Sequence, residues 1–313
     1  PPAPGVAAAV AGAVPGLRLY SDLTEAALCA AIARHCGVQP ENILCGNGSD
    51  ENLLLALRAF CDETHPLAFA DITYSFYPVL CDLLHIPQHV ILVEEDFSLD
   101  LSKYHGLNET IVIANPTLLQ PVAAIEEVVR TNPDSIVIVD EAYIDFAGPN
   151  ASCVPLTKKY DNVIVVQTFS KSHNLAGARV GFCVANPELI ADMNRIKFSY
   201  SPYNVNSLSQ AAAVAAMEDE NYFRDTVGKI CATRADTMTK LRERGFTGPD
   251  SATNFLFVTT SRMPCKQIFE RLRQKGVLIR YFSAPRLSDY LRITIGTPEQ
   301  MQRFFEELDL ILG

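Results

Sequence analysis

No apolar run in this chain of 313 residues reaches the roughly 20 residues a helix needs to cross a bilayer, so no membrane partner is expected. Basic residues are scarce relative to acidic ones. The 26 Lys and Arg against 36 Asp and Glu leave a net charge of −10, whereas affinity for a nucleic-acid backbone rests on cations. A nucleic-acid partner is therefore not expected, although a local arginine cluster can still receive an anionic small molecule. The chain contains no CxxC, and none of its nine cysteines (Cys29, Cys36, Cys45, Cys61, Cys81, Cys153, Cys183, Cys231, Cys265) is spaced with His as in a zinc site. No metal is expected, and the thiols read as reduced, cytoplasmic and packed as small hydrophobes. The dinucleotide fingerprint and the P-loop are missing too, as are repeats and low-complexity linkers. The opening PPAPGVAAAVAGAV lacks a basic flank and is interrupted by Gly and Pro, so it is not read as a secretory signal. The chain does not open on Met, and we expect further sequence before it.

What is present suits a globular protein. Hydrophobic residues make up 48% and charged residues 20%, enough for one large core and a second, smaller one. Seven β-rich runs lie at 42–46, 66–70, 89–94, 110–115, 135–141, 162–168 and 179–185. They are continuous in Val and Ile rather than alternating, which predicts strands buried on both faces of a mostly parallel α/β sheet. Amphipathic helices are predicted at 49–61, opened by Ser49 and Asp50 as caps, and at 121–131, with Pro121 in the first turn. Residues 186–245 read as helical. The tail from about 250 reads strand–helix–strand–strand–helix, a separate α+β unit. The expected organisation is a large domain over 30–245 and a small domain made of 1–29 and 246–313.

Open α/β sheets bind ligands outside the carboxyl ends of their strands, and several reactive residues fall there. Lys171, in TFSKSHNLAGARVGF, is flanked by Ser170 and Arg179, donor types suited to a phosphate. A lysine near cationic and aromatic groups can serve as a nucleophile; the alternative is an ordinary surface lysine. Asp140 ends the apolar run SIVIVDEAY. A carboxylate there needs a positive partner, either a local Arg or the protonated ring nitrogen of a cofactor, and Tyr143 follows within reach of the same ring. Gly46-Asn47-Gly48-Ser49-Asp50-Glu51 joins a strand to a helix, a junction able to hold an anion or one that is glycine-rich for steric reasons alone. Tyr74 is either a core aromatic or a platform for a planar ring. Arg280 and Arg292 lie in apolar strands of the small unit and read as buried, either in salt bridges or as receivers of a substrate anion.

The ordered set GNGSDE, TYSFY, DEAY, SKxxxLAGxRxG and LRITIGTPE closely resembles the histidinol-phosphate aminotransferase family of fold-type I pyridoxal 5′-phosphate (PLP) enzymes. The resemblance runs from LRLYSD, at residues 17–22, to the last helix. It implies Lys171 as the Schiff-base lysine and proton shuttle, Asp140 on the pyridine nitrogen and Tyr143 on the phenolic oxygen. It further implies Ser49, Asp50, Ser170 and Arg179 around the phosphate, with Tyr74 stacked on the ring. Tyr20 would reach the phosphate of a neighbouring subunit, Arg292 would clamp the substrate carboxylate, and Arg280 would be a second anion receiver. The implied protein is a cytoplasmic homodimer with shared active sites. It would move an amino group between L-histidinol phosphate and 2-oxoglutarate in histidine biosynthesis.

Threonine-phosphate decarboxylases share most of these motifs. The same set is also compatible with a broad-specificity amino-acid aminotransferase, or with a PLP-free binding or regulatory descendant. Two departures stand out. The family's NENP motif precedes the start of this chain, and its PNNPTG-like turn reads ANPTLLQP. Asn115 is either the asparagine that contacts the ring oxygen, with an abbreviated turn after it, or the start of a turn lacking several residues after Pro116. The second is favoured here. A normal Cα spacing of about 3.8 Å from Pro116 to Thr117 would exclude it.

Overall fold

A computed structural model describes residues 1–116 and 118–313. The Pro116–Thr117 junction, and with it the expectation of missing residues there, lies outside the described residues. The chain forms two compact units, Pro1–Arg224 and Asp225–Gly313.

The first unit contains α1 (Gly5–Ala13), α2 (Ala26–Cys36), β1 (Ile43–Gly46), α3 (Ser49–Phe60), β2 (Leu67–Ala70), α4 (Phe76–Leu84), β3 (Gln88–Ile91) and β4 (Thr110–Ala114). It continues with α5 (Val122–Thr131), β5 (Val137–Asp140), β6 (Val163–Thr168), β7 (Gly181–Ala185), α6 (Pro187–Tyr200), α7 (Ser207–Glu218) and the start of α8 (Glu220–Glu243). Each of the seven predicted strands is present. They form one sheet in the order β1-β7-β6-β5-β4-β2-β3. β3, β2, β4, β5 and β6 run parallel, while β7 is antiparallel to both β1 and β6. Six of the runs are buried on both faces, as the absence of alternation predicts; the run at 89–94 is not, because β3 is an edge strand with Val90 exposed. One face packs Ile113, Val139, Val165 and Val184; the other packs Val112, Ile138, Ile164 and Cys183.

The topology gathers the chemistry at one edge. The carboxyl ends of β2, β4, β5 and β6 lie together because those strands are parallel. β1, antiparallel to an antiparallel strand, brings its carboxyl end there as well. β7 contributes its amino end. Gly46, Gly181 and Thr168 consequently stand level across three neighbouring strands.

Residues 1–29, expected in the small domain, belong to the first unit, where α1 packs on α7. The Ala-rich surfaces of both helices let their backbones approach closely, and their composition carries no signal of the destination. The helix cap differs from expectation also. Gly48, at φ +80°, is the N-cap of α3, no side chain caps this end, and Ser49 is its first helical residue. Pro121 is likewise the N-cap of α5.

The second unit holds the remainder of α8, then β8 (Phe246–Thr247), β9 (Phe255–Thr260), α9 (Cys265–Gln274), β10 (Arg280–Tyr281), β11 (Leu291–Thr294) and α10 (Pro298–Leu312). Its antiparallel sheet has the order β10-β11-β9-β8. Leu241, Leu256, Val258, Ile268, Leu272 and Leu308 form a core of its own. Among the described residues no helix is long and apolar enough to cross a membrane, and no cluster of His, Cys, Asp or Glu could hold a metal.

Candidate active site

Asp140 is the last residue of β5, 7% exposed. Its Oδ2 accepts the Tyr77 hydroxyl at 2.7 Å, and its Oδ1 accepts the Ala142 amide at 3.2 Å. Burial pushes its carboxyl above the usual carboxylate range. The Tyr77 bond and then the Ala142 amide oppose that shift, and the charge of Lys171 does so more weakly. A carboxylate held in this way is a strong site for a cation that arrives with a ligand.

Lys171 follows β6 by three residues. Its Nζ lies over the Tyr143 ring, 5.2 Å from the centroid, so the predicted aromatic neighbour is in place. The next residue, Ser172, is buried and donates to Asp145 Oδ2 at 2.5 Å, which fixes the backbone on one side of the lysine. On the other side Ser170 is set by Thr168, whose hydroxyl donates to Ser170 Oγ at 3.0 Å and accepts the Ser170 amide at 3.2 Å.

The turn between β1 and α3 is built for close approach. A Cβ on Gly48 would lie 2.4 Å from an Arg179 guanidinium nitrogen, and one on Gly181 would lie 2.3 Å from the Ser49 amide nitrogen. Arg179 itself sits in the left-handed region at φ +54° and reaches Asp50 Oδ2 at 3.0 Å. Asp50 Oδ1 accepts the Tyr74 hydroxyl at 2.9 Å. Ser49, Asp50 and Arg179 are thus brought together at an uncapped helix start, with Ser170 on the adjoining strand level. Tyr74 is 44% exposed, meets Tyr77 edge-on at 5.7 Å and lies tilted against Phe76 at 6.0 Å. Asn115 is 1% exposed. Its Oδ1 accepts the Gln120 amide at 2.9 Å, and its Nδ2 is buried without a partner among the described residues.

Three further predicted residues are described by their own surroundings. Tyr20 is 82% exposed and stacks on Tyr203 at 4.6 Å. In the second unit, Arg280 and Arg292 face each other across β10 and β11. The expectation that both are buried holds only in part: Arg280 is exposed, because β10 is a two-residue edge strand, and Arg292 is half-buried. No carboxylate pairs with either among the described residues, and Arg292 Nε is buried without a partner there. The salt-bridge alternative is therefore not what occupies them. Aromatic faces do, with Arg292 over Phe255 at 5.0 Å and Arg280 over Phe282 at 5.2 Å.

Sequence reasoning missed Tyr77, Thr168 and Glu51.

The family model for Aminotransferase class I and II matches residues 2–308. The chain belongs to this family. It is 42% identical over 300 residues to histidinol-phosphate aminotransferase of Brachyspira hyodysenteriae, covering 95% of this chain and 84% of that one. To the enzyme of the same name from Clostridium botulinum it is 39% identical over 318 residues, covering 100% and 89%. The crystal structure of histidinol-phosphate aminotransferase from Sinorhizobium meliloti in complex with pyridoxal-5′-phosphate superposes with a TM-score of 0.90. That match has 25% identity and covers 99% of this chain and 88% of that one. The chain has the fold-type I architecture, a large mostly parallel sheet with a smaller antiparallel one.

Proposed function

We propose that this aminotransferase carries PLP on Lys171 and transfers the amino group between L-histidinol phosphate and 2-oxoglutarate. The observation that carries the cofactor reading is two buried groups at one sheet edge, the first hydrogen-bonded but in no ion pair among the described residues and the second with no hydrogen-bond partner there. One is a buried carboxylate, Asp140, awaiting a cation; the other is a buried amide nitrogen, Asn115 Nδ2, awaiting an acceptor. A pyridinium ring with a phenolic oxygen supplies both. The uncapped start of α3, with Arg179 pressed against Gly48, suits the phosphate.

When bound, the cofactor supplies the electron sink for carbanion chemistry. The chain supplies the rest. Asp140 would hold the ring nitrogen protonated, Tyr143 and Asn115 would orient the phenolic oxygen, and Tyr74 would stack on the ring. Ser49, Asp50, Ser170 and Arg179 hold the phosphate. Lys171 would hold the cofactor and move the proton at the substrate Cα. Arg292 and Arg280 would receive the anions of the two substrates in turn, the phosphate of L-histidinol phosphate and the carboxylates of 2-oxoglutarate. Their cross-strand pairing leaves two like charges side by side, a cost that a shared anion offsets.

The names of the relatives support the donor. The exposed Leu19, Tyr20 and Tyr203 support a homodimer in which Tyr20 serves the neighbouring subunit's site, and the free cysteines support a cytoplasmic location.

The test begins with cofactor-free protein titrated with PLP. The expected result is a visible absorbance band that is absent in Lys171→Ala, with turnover lost by at least the roughly 10²–10⁴-fold typical of positioned proton transfer. L-Glutamate must then form from 2-oxoglutarate with L-histidinol phosphate as donor. Release of carbon dioxide from L-threonine phosphate instead would overturn the assignment of donor and reaction, and no band in the wild type would overturn the cofactor reading.

A further inference from the structure

Glu51 follows Ser49 and Asp50, the pair proposed above to hold the phosphate, and bonds other partners than Arg179. Its Oε2 accepts the Asn47 amide at 2.5 Å and Asn204 Nδ2 at 2.6 Å, and its Oε1 accepts the Tyr200 hydroxyl at 2.8 Å. Asn204 is buried and ties the same knot twice more. Its Nδ2 also donates to the Cys45 carbonyl at 3.2 Å, and its own carbonyl accepts Asn47 Nδ2 at 3.2 Å. The Asn47–Gly48 turn, in which Gly48 sits at φ +80°, is therefore clamped from behind to the linker between α6 and α7.

The clamp settles what is otherwise unexplained at this helix start. Gly48 is the cap residue and provides no side chain, so nothing in the cap itself holds the turn open toward a ligand. A carboxylate in the first turn normally faces the free amides of its own helix end. Here it is drawn to the amide of Asn47, just before the cap, leaving the amides of Ser49 and Asp50 to the front.

We infer that Glu51 is a positioning residue that holds the Asn47–Gly48 turn so the α3 amides and Arg179 meet the cofactor's phosphate group. This rests on the PLP reading above. It assigns Glu51 no contact with the cofactor, so its effect falls on the phosphate and not on the ring.

The experiment compares the binding of PLP and of pyridoxal, which lacks the phosphate, to cofactor-free wild type and Glu51→Gln. Gln presents an amide donor where Asn47 and Asn204 also donate. The expected result is a loss of PLP affinity of about tenfold to hundredfold, the size of one charge-assisted bond, with pyridoxal affinity unchanged within about twofold. Equal losses for both ligands, or no loss for either, would overturn the assignment. Wild type that binds neither would overturn the PLP reading and this inference with it. If Glu51→Gln does not fold, Tyr200→Phe decides. Tyr200 is exposed, and deleting its hydroxyl should weaken PLP about threefold to tenfold while sparing pyridoxal; an unchanged ratio would overturn the inference.

Discussion

At the scale of single residues, two buried carboxyl groups have different duties. Glu141 is 1% exposed and satisfied by Ser152 at 2.6 Å, the Cys153 amide at 2.5 Å and Gln167 at 2.8 Å, yet burial still pushes its carboxyl up to about 7. Its folded value stands above its ordinary 4.5, so the protonated form is the one that folding favours. Its contribution is fully present below pH 4.5 and disappears as pH rises through 7, a swing of about 3 kcal/mol. Urea denaturation at the two ends of that window should show wild type losing stability relative to Glu141→Gln as pH rises; parallel curves would refute this. Asp140 differs in being held for a ligand. Tyr77→Phe removes its best partner at a cost of about 1.5–3 kcal/mol while the carboxylate is charged. The difference from wild type should shrink as pH falls through the raised Asp140 value.

Asp140 was legible in the sequence because a carboxylate closing an apolar strand is expensive and therefore conspicuous. Tyr77 was not, since a tyrosine inside an apolar helix reads as core and only the fold places its hydroxyl at 2.7 Å from Asp140.

At the scale of elements, the seven strands could be read directly because continuous Val and Ile leave few other structures open. Three features could not. The N-terminal helix α1 has no polar face to orient it, so its place on α7 depends on tertiary packing alone. β10 is too short for periodicity to locate its exposed face, which is why Arg280 was expected inside. Gly48 as cap was obscured by Ser49 and Asp50, better cap residues by propensity but displaced by the positive φ that the turn requires. This last point is testable at Gly181, where an added Cβ meets the backbone of Ser49 at 2.3 Å. Gly181→Ala should destabilise by about 1–3 kcal/mol and weaken cofactor binding, read by thermal denaturation with and without PLP. A second element-scale feature is the ion pair of Glu25 and Lys197, at 2.7 Å with both side chains nearly inaccessible. It fastens the segment before α2 to α6. Glu25→Gln leaves a buried ammonium without its counter-charge and should cost about 3–5 kcal/mol. Glu25→Leu combined with Lys197→Met should recover most of that loss in urea titrations.

At the scale of the whole molecule, two units with separate cores predict that unfolding is not a single two-state event. Near-ultraviolet and far-ultraviolet melting curves should fail to coincide. Saturation with PLP should raise the transition of the first unit, where the proposed cofactor residues lie. The gain is about 2.7 kcal/mol at a hundredfold excess over the dissociation constant, and Lys171→Ala should reduce it.

The place of β7 in the sheet has a consequence for the order in which the protein can be made. Among the described residues β1 pairs with β7 alone, and Asp50 meets Arg179 across 129 residues of chain. A nascent chain therefore carries β1 and the glycine turn long before their sheet neighbour leaves the ribosome, with an open strand edge in the interval. The ligand edge closes last, when β7 slides between β1 and β6, so a truncated chain ending before residue 181 would own the lysine and yet have no cup beside it.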